Sequence, residues 1–576
     1  MKPILKFLKK YKLECFLAPF FKLLEACFDL FVPIVVKAII DIGIENGDKG
    51  YVINGCLVLV ALGIIGLICA VTAQYFAAKA AVGCATGLRH AVFSHLQRIS
   101  YTEADKLGKS SMITRMTSDI NQLQTGVNMT LRLFLRSPII VFGALIMAYA
   151  ITPMSTPIFA SVIGILAVIV FTIILAGIPI YKKVQSRLDR VTSITRQNLG
   201  GVRVIRAFNR QQSEYDDMME ANNAHTDIQR FAGRISALMN PLTFVVVNLG
   251  IIAVVYTTSF EIDAGNLTKG DLFALYNYMS QILVELVKLA NTIVTVTKAV
   301  ACGHRVEAVL ETPTGMEIKE LDGKENIADN DFSVEFNNVT LKYSGNSEPS
   351  LENIDFKVKN GMTVGIIGGT GSGKTSLVNL IPRFYDAENG EVKVFGRNVN
   401  TYPTDTLREE IGIVPQKAVL FKGTIRSNLE WGCANATDEE LLYALEVAQA
   451  KDFVLEKDGG LDAPVEQFGR NFSGGQRQRL TIARAVVRRA PILIFDDSAS
   501  ALDFATEAKL RHALKNLDYD PTVFIISQRT SSIAHADMII VLDDGRAVGV
   551  GTHAELLESC DVYREIYDSQ FKGGER

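Results

Sequence analysis

The sequence predicts an all-α membrane domain joined to an α/β domain built around a phosphate-binding loop. Three observations carry that expectation. Apolar residues concentrate in the first ~300 positions, so the two parts of the chain need different solvents. That first part holds six apolar runs of roughly 20 residues, the length that crosses a bilayer core. Beyond it, residues 368–375 read Gly-Gly-Thr-Gly-Ser-Gly-Lys-Thr and fit G-x-x-x-x-G-K-[ST]. The chain has 576 residues, 48% of them hydrophobic, with a mean hydropathy of +0.20, and is too long for one domain.

The six runs lie at about 16–42, 52–78, 133–152, 156–180, 241–260 and 272–298. Two long segments between them, about 79–132 and 181–239, carry Arg89, Arg98, Lys106, Lys109 and Arg115, then Lys182, Lys183, Arg187, Arg190, Arg196, Arg203, Arg206 and Arg210. The short segments on the other side are neutral or acidic. Positive charge stays inside, so the long segments, and the domain that follows six crossings, are cytoplasmic. The basic, amphipathic start Met1 to Lys12 shows no cleavage site and reads as an interfacial helix on the inner leaflet. The long segments read as helices that turn at Gly108 and at Gly200-Gly201.

Composition excludes some classes. The net charge of −3 gives no basic character suited to nucleic acid. The eight cysteines, at 15, 27, 56, 69, 84, 302, 433 and 560, form no C-x-x-C pair and read as reduced, buried thiols. Pro313, Gly315 and a run of charges mark a linker at 311–330, between a membrane domain at 1–310 and an α/β domain at 331–576. In the second domain, Met362 to Ile367 reads as a buried strand, and a helix opens near Lys374. Backbone N–H groups and a helix N-terminus there favour phosphate. Lys374 would reach the β- and γ-phosphates and Thr375 would ligate Mg²⁺.

Residues 471–476 read Asn-Phe-Ser-Gly-Gly-Gln, ahead of the apolar run Ile492-Leu-Ile-Phe-Asp-Asp497. With the phosphate loop, this order resembles the ATP-binding cassette (ABC) family, and in particular its exporters, across nearly the whole chain. The resemblance implies ATP and Mg²⁺. It assigns ATP contacts to Gly368, Gly369, Thr370, Gly371, Ser372, Gly373, Lys374, Thr375, Ser376 and Gln416, with Tyr343 stacking on adenine. Thr375, Gln416 and Asp496 would hold Mg²⁺. Ser473, Gly474, Gly475 and Gln476 match the signature that contacts ATP bound to a partner chain. Ser500 to Asp503 match the D-loop, with Asp503 among the catalytic positions. Asp105 to Asp119 and Gly200 to Phe208 resemble the segments that touch the cassettes, and Val465-Glu-Gln-Phe468 falls where exporters place the X-loop, without its usual glutamate-glycine pattern.

Two positions depart from the family. Its catalytic glutamate is Asp497 here, and its switch histidine is Gln528. The aspartate is short by one methylene, about 1.5 Å, where a misplacement of about 1 Å can cost about 100-fold. The amide of Gln528 cannot carry the proton that imidazole can. This pairing resembles the degenerate-site subunit of bacterial heterodimeric multidrug-type exporters. The implied partner is a second half-transporter with the Walker B glutamate and the switch histidine. A homodimeric exporter with slow ATPase stays open, as does a peptide- or lipid-specific one. An importer would more often carry its cassette on a separate chain, and six fused spans argue against a non-transport ATPase.

The implied substrates are small amphipathic molecules, lipids or peptides, exported across the cytoplasmic membrane. Asn277, Gln281, Glu285, Lys288 and Asn291 recur at helical spacing on one face of the last span. They read either as a polar cavity wall or, for Glu285 and Lys288, as a self-neutralising pair. Glu25 and Asp29, one turn apart in the first span, either favour cationic substrates or pair across helices.

Overall fold

The computed structural model describes residues 2–316, 331–343, 345, 348–498 and 500–571. Most of the expected linker therefore lies outside the described residues. The chain forms two compact units, Met1–Gln97 with Lys109–Thr312, and Arg98–Gly108 with Pro313–Arg576.

The first unit is helical. Among the described residues, five helical stretches are long and apolar enough to cross a membrane: Lys49–Leu96, Lys109–Ile151, Pro153–Ala207, Gln211–Asp263 and Lys269–Glu311. The 48-residue helix Lys49–Leu96 is about 70 Å long at 1.5 Å per residue, well beyond a bilayer core. Its N-terminal half exposes Leu57, Val60, Ile64, Leu67 and Ile68. Its C-terminal half buries Ala73, Ala77, Ala80, Ala81 and Cys84. Small residues at helical spacing let neighbouring backbones approach closely, which replaces the hydrophobic drive that lipid removes. Phe159, Leu166, Val247, Leu275, Tyr278 and Met279 form the packed centre. At the start of the chain, Phe7 of helix Lys2–Leu8 lies against Gly87, so this segment packs on protein.

The first expected span is not among the five. It falls on helix Lys12–Ala38 and the helical turn after it, and its apolar stretch contains Lys22, Glu25 and Asp29. These charges are paired. Lys22 lies 2.5 Å from Glu25. Arg136 donates to Asp29 at 2.8 Å and to Glu285 at 2.6 Å. Glu285 also accepts from Ser137 at 2.8 Å and from Lys288 at 3.0 Å. Three cations thus face three carboxylates from three helices, and the cross-helix pairing of Asp29 is the arrangement formed. The net charge in this layer is zero, which keeps the cost of ionised groups in an apolar medium down.

The Gly200-Gly201 turn is not formed. Both residues lie inside helix Thr156–Ala207, and the chain turns at Phe208–Arg210, where Asn209 takes φ 52°. An exposed helix tolerates glycine at about 1 kcal/mol each, and nothing there stops the backbone hydrogen bonds from continuing. The turn at Gly108 is formed, with φ 74° closing helix Tyr101–Leu107. The cysteines are all free, but Cys27, Cys56 and Cys433 are exposed rather than buried.

The second unit has two sheets and a small ribbon. Strands β1 (Phe332–Leu341), β2 (Leu351–Lys359), β4 (Asn389–Val394) and β5 (Arg397–Asn398) form an antiparallel sheet in the order β2-β1-β4-β5. Strands β3 (Thr363–Gly368), β6 (Ile411–Val414), β9 (Ile492–Asp496), β10 (Thr522–Ile526), β11 (Met538–Asp543) and β12 (Arg546–Gly551) form the other, in the order β12-β11-β3-β10-β9-β6. Strands β7 (Gly423–Thr424) and β8 (Pro464–Val465) make the ribbon. In the six-stranded sheet every pair except β11–β12 is parallel. Its strands β3, β9, β10 and β11 read as apolar runs because both faces are covered, whereas the edge strand β12 is exposed at alternate residues. Helix Tyr101–Leu107 belongs to this unit. Tyr385 donates to its Asp105 at 3.0 Å, and Tyr101 packs on Phe384 with ring centroids 4.8 Å apart.

Candidate nucleotide-binding site

The carboxyl ends of parallel strands are where open α/β sheets bind ligands. Here β3 ends at Gly368 and its loop runs into helix Lys374–Leu380. Three of the loop glycines are demanded by the chain itself, Gly371 through its φ of 88° and the other two also through close approach. A Cβ on Gly368 would sit 2.1 Å from the Leu542 carbonyl oxygen. Gly373 has φ 96° and a Cβ there would lie 2.9 Å from the Ser350 carbonyl. The loop leaves open space beside Gly369 and Gly371, a concavity that a side chain would fill.

Lys374 is buried and folds back on that concavity. Its ammonium donates to the carbonyls of Gly368 at 2.9 Å and Gly369 at 2.5 Å. Burial pushes the ammonium below its ordinary pKa, against the pull of Asp497 and Asp496. The same burial pushes the Asp496 carboxyl up. For each group, burial outweighs the counter-charges within reach. Asp496 ends β9 on the strand next to β10, and its two oxygens lie 3.0 and 3.1 Å from the Thr375 hydroxyl. Hydroxyl, carboxylate and the Gln416 amide are hard oxygen donors, the set that suits Mg²⁺. The residues present fit both a nucleotide phosphate and the cation.

Tyr343 also reaches this loop. Its hydroxyl donates to Ser376 at 3.0 Å, and its ring meets Tyr385 edge-on at 4.9 Å. Sequence reading missed Tyr385, which carries no local motif. It touches both the expected adenine-stacking residue and Asp105 of the first contact segment. Asp119, from the same segment, goes elsewhere: it is buried and paired with Arg305 at 2.7 Å.

The two departing residues follow β9 and β10, at the same end of the sheet as the phosphate loop. The Asp497 amide donates to the Ile526 carbonyl at 3.1 Å, and the Ser527 amide to the Ile366 carbonyl at 3.1 Å. Position 528 thus follows a strand paired directly with β3. Asp497 has φ 46°, a left-handed conformation in which Asp is several-fold favoured over most residues. Gln416 donates to its carboxylate at 3.3 Å. Gln528 is exposed.

The Ser-Gly-Gly-Gln stretch opens helix Gly474–Val487. Ser473 and Gln476 form a capping box: the Ser473 amide donates to the Gln476 side chain at 3.0 Å and the Gln476 amide to the Ser473 hydroxyl at 3.3 Å. Gly474 has no such internal reason, since a Cβ there meets nothing within 4 Å. Asp503 caps helix Phe504–Lys515, accepting from the Thr506 amide at 2.8 Å and the Thr506 hydroxyl at 2.8 Å. In the expected X-loop, Val465 pairs in the ribbon and Phe468 stands exposed at φ 62°.

The chain is similar to known proteins along its whole length. The family model for the ABC transporter transmembrane region matches residues 15–286, and that for the ABC transporter matches residues 351–500. An uncharacterized ABC transporter ATP-binding protein of Mycobacterium tuberculosis is 37% identical over 95% of this chain and 94% of its own. One of Bacillus subtilis is 34% identical over 99% of both. An ATP-dependent lipid A-core flippase of Vibrio parahaemolyticus is 28% identical over 99% of this chain and 97% of its own. The fold is similar to that of a bacterial Atm1-family ABC exporter solved with ATP bound, with a TM-score of 0.78 and 24% identity over 96% and 97% of the two chains. The chain belongs to the ABC transporter family, as a membrane domain fused to an ABC ATPase domain.

Proposed function

We propose that this chain is one half of a heterodimeric exporter whose own ATP site binds the nucleotide but hydrolyses it poorly. The observation that carries the reading is the contrast inside one site. The Lys374 loop and the Thr375–Asp496 pair are intact, while positions 497 and 528 hold Asp and Gln. Export fits a relative named a lipid A-core flippase and a fold shared with a bacterial ABC exporter. Within the proposed class of small amphipathic molecules, lipids or peptides, the lipid A-core flippase relative favours lipids.

In this reading six helices cross the cytoplasmic membrane, the sixth being Lys12–Ala38 with its charges neutralised by Arg136 and Lys22. The cassette is cytoplasmic. Gly368 to Ser376 and Gln416 hold the triphosphate, with Tyr343 against adenine. Thr375, Asp496 and Gln416 hold Mg²⁺, which neutralises developing phosphate charge when bound. Asp497 then stands where a general base would take the proton of the attacking water. Its carboxylate is about 1.5 Å short of the reach that a glutamate has, and contact at hydrogen-bond distance is what such a base needs. The signature residues Ser473 to Gln476 serve the partner's site, and turnover occurs mainly there.

The experiment is nucleotide analysis of the trapped pair. The chain purified alone should show little ATPase activity. In the assembled pair, ATP should persist at the Lys374 site while ADP forms at the partner's. Robust cooperative turnover by this chain alone would instead support the homodimeric reading.

A further inference from the structure

The segment after Gln528 is short of its own hydrogen-bond partners. Helix Thr530–Ile533 has only four residues, and its N-cap position, Arg529, offers no side-chain cap. The first amides of a helix lack intrahelical acceptors and must find them elsewhere. For Thr530 the acceptor comes from another helix. The side-chain oxygen of Gln570, in helix Asp561–Phe571, accepts from the Thr530 amide at 2.9 Å and from the Thr530 hydroxyl at 2.9 Å. The same side chain donates from its nitrogen to the Gln528 carbonyl at 2.8 Å. An amide N–H can only donate and a carbonyl can only accept, so these partners fix which end of Gln570 is oxygen.

Helix Asp561–Phe571 is anchored for this task. Tyr563 is fully buried and its hydroxyl lies 2.7 Å from His553 Nδ1. Ile566 packs into the same cluster as Ile367, Ile533 and Val541. Residues 563, 566 and 570 fall at i, i+3 and i+7, so the anchored face also presents Gln570. The segment is gripped from a second side by helix Phe504–Lys515. Arg511 donates to the Ser531 carbonyl at 2.7 Å, and Arg529 lies 3.5 Å from Glu507 and over the Phe504 ring at 4.7 Å.

We infer that Gln570 is a positioning residue of the ATP site: it holds the backbone on both sides of Arg529 and so sets where the side chain at position 528 points. It touches no nucleotide itself. The functional half of this inference rests on the reading of position 528 as the switch position; the clamp does not.

The test uses the full chain. Hydrogen exchange at the Thr530 amide should become about fivefold faster in Gln570→Ala, the effect of losing one hydrogen bond. In Gln570→Glu it should rise less, because the carboxylate still accepts from Thr530 although it cannot donate to the Gln528 carbonyl. Equal exchange in wild type and Gln570→Ala overturns the clamp. For the functional half, the pair is assembled with Asp497→Glu and Gln528→His in this chain, with the partner's own base removed and with a consensus signature on the partner. Adding Gln570→Ala should then lower kcat about fivefold at unchanged KM for ATP, on the same one-bond scale. An unchanged kcat beside faster Thr530 exchange overturns the positioning role. A background with no turnover before Gln570 is altered overturns the reading of position 528, and exchange alone then decides the clamp.

Discussion

The cassette carries two glycine-containing stretches that each lead into a helix, and they differ in what requires the glycine. At the phosphate loop the requirement is internal: a side chain at Gly368 would strike the Leu542 carbonyl, and Gly373 takes a left-handed φ. At the signature it is external: Ser473 and Gln476 cap their own helix, but Gly474 faces open space. Glycine at a helix start that needs none costs some stability relative to alanine, about 0.5–1 kcal/mol in a helix interior. Retaining it there makes sense where something outside the chain must come close. In the proposed reading, one loop builds a site for this chain, and the other is one side of a site that another chain completes.

The comparison can be broken in four ways. The largest effect is expected from Gly368→Ala. The clash should lower stability by about 2 kcal/mol and abolish ATP binding by this chain, because the loop cannot keep its path. Calorimetry and nucleotide binding on the purified chain check both. Normal binding by this variant would mean that the loop is not built on that close approach.

Gly474→Leu should do the opposite. Stability and ATP binding by this chain should stay as in wild type, since the new side chain has room. Turnover by the assembled pair should fall about 100-fold, the scale of a displaced reacting group. Unchanged turnover would remove the composite-site reading.

A gain is expected from repair. Asp497→Glu with Gln528→His should raise hydrolysis at this site about tenfold, and each change alone should do much less, because base and switch act as a unit. The left-handed backbone at position 497 suits Asp better than Glu, which limits the gain. ATPase activity is measured in a pair whose partner lacks its own base and carries a consensus signature. Background activity in the double variant would show that other residues silence the site.

The smallest effect concerns Asp496. Burial raises its carboxyl above the ordinary value, so the folded cassette binds this proton more readily than the unfolded chain. Its contribution to stability is therefore greatest below the unfolded value and falls as pH rises between the ordinary and the raised value. Asp496→Asn should remove that slope and stabilise the ligand-free chain by about 1 kcal/mol near neutral pH, while weakening Mg²⁺-dependent ATP binding. Thermal unfolding at several pH values checks the sign.

The sequence by itself determined the two-domain plan, the phosphate loop and the signature, because these depend on local spacing. Apolar runs of membrane length, a glycine loop after a buried strand and a capping-box pattern are all written within a few residues of each other. It also determined Asp497 and Gln528 as departures, since they are identities at fixed offsets. Only the tertiary structure decided the rest. Helix Lys12–Ala38 pairs its Asp29 with Arg136, which lies 107 residues away. Gly200-Gly201 stays helical although it reads as a turn. Tyr385 and Gln570 reach the site from positions with no motif of their own. Local pattern fixes which backbone groups are left wanting a partner. Which distant side chain supplies that partner depends on how the helices and sheets pack, and no single window of sequence contains that information.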